Sequence, residues 1–129
     1  MSKGRRILLV DDEPDNNRIF TIALRDNGFE VDAFEDPKLA LSAFKPNYYE
    51  LVILDVRMPH MSGDELYQRL RKIDDKFKLC IVSAYGSEQY KTLFSPTSSD
   101  RICFMRKPIT IDELVNNVDE IIMETDKPK

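Results

Sequence analysis

Leu51-Val52-Ile53-Leu54-Asp55-Val56-Arg57-Met58-Pro59-His60-Met61-Ser62-Gly63 is the stretch that decides the fold. It opens on an unbroken apolar run. With Glu50 that run predicts a strand over 50–54 of the kind buried on both faces. The run stops at an acid, Asp55, and a loop follows. Ser62-Gly63-Asp64-Glu65 then has capping-box spacing, and Leu66, Leu70 and Ile73 place an apolar face on the helix it starts.

The same unit recurs along the chain. Runs at 5–10, 29–34, 78–82 and 101–105 also have strand length and are rich in Ile, Val, Leu and Phe. Pro14 stands at a first helical position and Gly28 follows the last turn of that helix. Asp36-Pro37 opens the second helix, with Leu39, Ala40, Ala43 and Phe44 as its core face. A fourth helix is expected over 86–94 on the pattern Tyr90, Leu93 and Phe94, ahead of a loop at 95–99. Thr110-Ile111-Asp112-Glu113 repeats the capping box, and Leu114, Val115, Val118, Ile121 and Ile122 form the stripe of the last helix. Five strand–helix units predict an α/β fold, a (βα)5 doubly wound sandwich with a parallel sheet and helices on both faces. In such sheets ligands sit beyond the carboxyl ends of the strands. The domain is expected over 1–125, with 126–129 as a tail or truncated linker.

Length and composition agree with this. The 129 residues suit one domain with a real core. An apolar fraction of 42% beside a charged fraction of 33% marks a folded chain. The net charge of −4 argues against nucleic acid as a direct partner. Cys80 and Cys103 lie inside apolar runs and read as buried, reduced thiols of the cytosol. The apolar run after Lys3, Arg5 and Arg6 is too short for a signal-peptide core, and acids end it at once. No run approaches the roughly 18–20 residues that span a membrane, so the expected location is the cytoplasm, without a membrane partner.

The chemistry lies at the strand ends. The first strand runs into Asp11-Asp12-Glu13, the third into Asp55, the fourth into Ser83-Ala84 and the fifth into Lys107-Pro108. On one parallel sheet these groups share a crevice. Asp11, Asp12 and Asp55 repel one another unless a cation intervenes. Lys107 supplies one positive charge, and a hard divalent ion suited to oxygen ligands, Mg²⁺, supplies the rest. Mn²⁺ or Ca²⁺, which also take oxygen ligands, could substitute for it in crystals. Phosphoryl transfer asks mainly for position and charge neutralisation. Asp55 is then the nucleophile, while Lys107 and the Ser83 hydroxyl meet the phosphoryl oxygens. Simpler readings exist for each residue. Acids after the first strand favour a helix dipole. Lys107 could be a surface lysine, Ser83 a turn residue and Phe104 core; His60 reads as a solvent-facing loop side chain.

Leu8-Leu9-Val10-Asp11-Asp12-Glu13, the stretch from Leu51 to Gly63, Ile81-Val82-Ser83-Ala84 and Lys107-Pro108 together resemble the receiver domain of two-component response regulators, in the manner of the chemotaxis regulators. The resemblance covers residues 4–124. It implies a flavodoxin-like fold, with five parallel strands in the order 2-1-3-4-5. It implies that Asp55 is the phosphoacceptor, that Asp12 binds the metal directly and Asp11 through water, and that the Arg57 backbone carbonyl completes the set. Ser83 would move toward the phosphoryl group on activation, with Phe104 as the switch aromatic, and Lys107 would bind phosphate ahead of a cis bond to Pro108. Arg57 and Tyr85 fall where such domains tune phosphoryl lifetime. Phe104 lacks the hydroxyl of the common Tyr.

The implied function is a Mg²⁺-dependent phosphoacceptor rather than an enzyme with an external substrate. It catalyses its own phosphoryl transfer and slow autodephosphorylation. A sensor histidine kinase or phosphotransfer protein would be the donor. A downstream effector or missing output domain would read the face made by the fourth helix, the fifth strand and the last helix, which could also form a homodimer. Two other functions compete. An aspartyl-phosphate phosphatase usually carries its nucleophile after the first strand with a second Asp two residues on, and needs room for a cap. A phosphorylation-independent interaction module has no need of Asp11, Asp12, Asp55, Ser83 and Lys107 together.

Overall fold

The runs become strands because their side chains alternate between two buried faces. In the computed structural model, which describes residues 5–58, 60–84 and 102–124, Leu8 and Val10 of β1 (Arg6–Val10) face one core cluster. Ile7 and Leu9 face the other. β3 (Leu51–Asp55) repeats the division, with Val52 and Leu54 on the first side and Leu51 and Ile53 on the second. β4 (Lys78–Ser83) does the same with Leu79 and Ile81 against Cys80 and Val82. Burial on both sides explains why these strands read as continuous apolar runs.

β2 (Glu30–Phe34) and β5 (Ile102–Arg106) complete the sheet. All four pairings are parallel, in the order β2-β1-β3-β4-β5. α1 (Pro14–Asp26) and α4 (Ile111–Glu124) cover one face, and α2 (Pro37–Ala43) and α3 (Gly63–Ile73) the other. The strand order reverses between β1 and β3, so the crevice of such a sheet opens beside Asp11 and Asp55.

Helix ends follow their sequence signals, with one exception. α1 stops in a Schellman arrangement: the Phe29 N–H donates to the Leu24 carbonyl and the Gly28 N–H to the Arg25 carbonyl, both at 3.1 Å. Gly28 has φ +92, a conformation that costs glycine little. At α4 the reciprocal capping box forms, Thr110 N–H to Glu113 Oε1 and Glu113 N–H to Thr110 Oγ1, each 3.0 Å. Ser62 caps α3 by backbone position alone, without a side-chain bond.

Four expectations need correction. Leu39 is 59% exposed rather than core. α2 has only seven residues, and the face it buries holds Pro37 and Ala40, with Phe44 just beyond its end, so Leu39 points about 100° away. Ile73 is also exposed, and Tyr67 takes its place on the buried face of α3. The helix ends at the buried Asp74, whose carboxylate takes the N–H groups of Asn47 and Lys76. Cys103, on strand β5 at the sheet edge, is only half-buried, while Cys80 is fully buried; neither is in a disulfide. Asp55 and Ser83 are the last residues of their strands rather than the first beyond them. Pro59, Tyr85, the expected helix at 86–94, the loop at 95–99 and the tail at 126–129 lie outside the described residues.

Candidate functional site

Two strand ends deliver three carboxylates. Asp11 follows β1 and is 2% exposed; Asp12 beside it is half-buried; Asp55 closes β3 at 6% exposed. One oxygen from each lies within 4.8 Å of the others. Among the described residues no other group of three or more His, Cys, Asp or Glu side chains gathers in this way. His60 is exposed, with φ +72.

The backbone fixes this cluster. Asp11 Oδ1 accepts the Glu13 N–H at 2.9 Å, which curls the loop toward α1. The Asp11 N–H donates to the Phe34 carbonyl of β2 at 3.1 Å. Asn17, on the buried side of α1, ties the same junction: its Nδ2 donates to the carbonyls of Asp11 at 2.7 Å and Phe34 at 3.2 Å. At β3 the Arg57 N–H donates to Asp55 Oδ1 at 3.3 Å, and the Val56 N–H to the Val82 carbonyl at 3.1 Å. The Gly63 N–H donates to the Val56 carbonyl at 2.9 Å and draws the start of α3 against the Asp55 backbone. A Cβ at residue 63 would lie 2.5 Å from the Asp55 carbonyl oxygen. Gly63 therefore permits this close approach.

Lys107 is held at the rim by β4. Its N–H donates to the Ser83 carbonyl at 2.8 Å, and its bond to Pro108 is cis. Its ammonium lies 3.0 Å from Glu13 Oε1, 3.3 Å from Asp55 Oδ2 and 3.4 Å from Asp11 Oδ2. Ser83 is 5% exposed at the end of β4, opposite Arg106. Phe104 pairs with Ile81 and packs, half-buried, on the α2–α3 side of the sheet. Asp11, Asp12, Asp55 and Lys107 thus form one cluster, with Ser83 at the neighbouring strand end. Sequence reading did not single out Asn17, Glu13 as a partner of Lys107, or the close approach of Gly63. For Gly63 a signal existed, a glycine inside a capping box after a strand-end acid.

The charges do not balance within the cluster. Burial, then the Asp11 charge, pushes the Asp55 carboxyl up to about 7, against the pull of Lys107 and the Arg57 N–H. Burial disfavours the Lys107 cation, but the Glu13 bond and the charges of Asp11 and Asp55 outweigh it and hold the ammonium above the usual lysine range. One shared ammonium among four acids leaves net negative charge on closely spaced oxygens. That donor set fits a hard divalent cation such as Mg²⁺.

Comparison with known proteins agrees. The chain matches the response regulator receiver domain over residues 7–119. It is 28% identical to the regulatory protein AtoC of Escherichia coli over 88% of its length, and it spans only 24% of AtoC. It is 25% identical to the response regulator receiver protein CpdR of Brucella abortus, covering 92% of this chain and 98% of CpdR. Among solved structures, the response regulator protein TrrA of Thermotoga maritima in complex with Mg²⁺–BeF superposes with a TM-score of 0.72 at 32% identity, over 91% of this chain and 98% of that one. The fold and the sequence together make this chain a member of the receiver-domain family of two-component response regulators.

Proposed function

We propose that Asp55 is the phosphoacceptor of this receiver. The observation that carries it is the convergence of Asp11, Asp12 and Asp55 within 4.8 Å with the Lys107 ammonium on the same rim. An ionised Asp55 oxygen attacks the phosphorus of a phosphohistidine. The new O–P bond forms as the P–N bond breaks, and the electron pair leaves with the imidazole nitrogen. Mg²⁺ held by Asp11, Asp12, Asp55 and the Arg57 carbonyl would offset charge on the phosphoryl oxygens. Lys107 trades part of its contact with Glu13, Asp11 and Asp55 for a phosphoryl oxygen, and the Ser83 hydroxyl donates to another. Ser83 and Phe104, on neighbouring strands, then carry the change to the face that a partner reads.

In this reading the donor is a sensor histidine kinase or phosphotransfer protein, and an effector or output domain is the recipient. Water slowly cleaves the acyl phosphate to return phosphate and Asp55. The receiver unit extends over residues 1–125 and works in the cytoplasm; none of the described helices is long and apolar enough to cross a membrane. TrrA, solved with Mg²⁺–BeF, supports the metal assignment.

The test is intact mass after incubation with acetyl phosphate and Mg²⁺. Wild-type protein gains one phosphoryl group, chelation of the metal suppresses the gain, and Asp55→Asn gains none. Equal adducts in wild type and variant would overturn the assignment.

A further inference from the structure

A groove of about 640 Å³ runs between α1 and the β2–α2 junction, beside the edge strand β2. None of the acid cluster lines it. Its walls differ in sign. The α1 wall carries the exposed Arg18 and Arg25, and the β2–α2 wall carries Glu35 and Asp36. No ion pair among the described residues uses Arg18, Glu35 or Asp36. Each wall also bears an aliphatic side chain more than half exposed, Ile22 at 55% and Leu39 at 59%. Leu39 is the residue whose spacing suggested a core position. Arg25 already donates to the Val31 carbonyl, and Asp36 caps α2. Two large aliphatics left in water along one groove, with Arg18 and Glu35 on opposite walls and in no ion pair among the described residues, still describe a surface awaiting a partner.

The partner must present a cation beside an aliphatic on one side and an acid beside an aliphatic on the other. The groove itself has that layout. A two-fold axis through it maps each wall onto the opposite wall of the second copy, as an isologous interface requires. We infer that this groove is a self-association face, in which α1 of each copy lies over the β2–α2 wall of the other, Arg18 against Glu35 and Ile22 against Leu39. The pairing closes on itself, so it yields a dimer and not a filament. Rim charges set its partner choice, and salt weakens it.

Sedimentation equilibrium over a concentration series tests this on the whole chain. Wild type shows a monomer–dimer equilibrium that shifts toward monomer as salt rises. Arg18→Glu and Glu35→Arg each weaken the dimer about tenfold or more by placing like charges together. The double variant Arg18→Glu/Glu35→Arg recovers most of the loss, because the pair is rebuilt with its signs exchanged. Circular dichroism checks that each variant keeps its fold. Wild type that stays monomeric into the millimolar range overturns the inference, as does a dimer indifferent to either reversal or a double variant no better than the singles. A monomeric wild type whose groove variants lose a different protein partner also overturns it and assigns the groove to that partner.

Discussion

Asp55 is held in a setting that disfavours its own charge. Its folded pKa, raised to about 7, lies above the ordinary 3.8, so as pH rises the unfolded chain releases this proton first. Stability therefore falls between about pH 4 and about pH 7, and the full cost is present above that window. Asp55→Asn removes the cost. In chelator, the thermal midpoint of the variant should exceed that of wild type at about pH 8, and the gap should close toward about pH 4. A gap that ignores pH contradicts the raised carboxyl. Gly63 is the second decisive residue. Gly63→Ala puts a Cβ 2.5 Å from the Asp55 carbonyl, so either β3 or α3 must shift. Chemical denaturation should show a loss of about 1–3 kcal/mol, as overpacking gives elsewhere. Phosphorylation should slow as well, because Asp55 moves with its backbone. A variant as stable and as reactive as wild type would mean that the approach relaxes without consequence.

At the scale of elements, two capping sequences that look alike behave differently. The Thr110 and Glu113 side chains exchange bonds with each other's N–H groups at the start of α4, whereas the Ser62 side chain makes no cap bond at α3. Thr110→Ala should cost about 1 kcal/mol and Ser62→Ala only a few tenths, read as shifts in urea midpoint at constant slope. Equal losses would show that the Ser62 hydroxyl caps after all. The difference was not legible in the sequence, because spacing states which residues can reach each other and not which do. What is seen at α3 is a backbone tie instead: the Gly63 N–H is drawn to the Val56 carbonyl, so the strand end sets where α3 begins. Periodicity failed at helix ends for a related reason. Leu66 and Leu70 are buried as their spacing demands, but Ile73 is the last helical residue, just before the Asp74 C-cap, and is exposed.

At the scale of the whole molecule, the fold was legible because burial on both faces leaves a long signal. Four unbroken apolar runs and the helix signals between them fix an alternation that admits few topologies. The site was legible only in part. Strand ends could be read for Asp11, Asp55 and Lys107, since parallel strands share one rim. The reach of Lys107 to Glu13 and the tie of Asn17 across β1 and β2 are tertiary distances, set by how α1 packs, and no local pattern encodes them. The central claim belongs to this scale: residues far apart in sequence build one oxygen-rich pocket that a divalent ion neutralises. Calorimetric titration with Mg²⁺ measures it directly. One ion should bind per chain, and Asp12→Asn and Asp55→Asn should each weaken it by tenfold or more. Absence of saturable binding, or an affinity unchanged by both substitutions, would contradict the account.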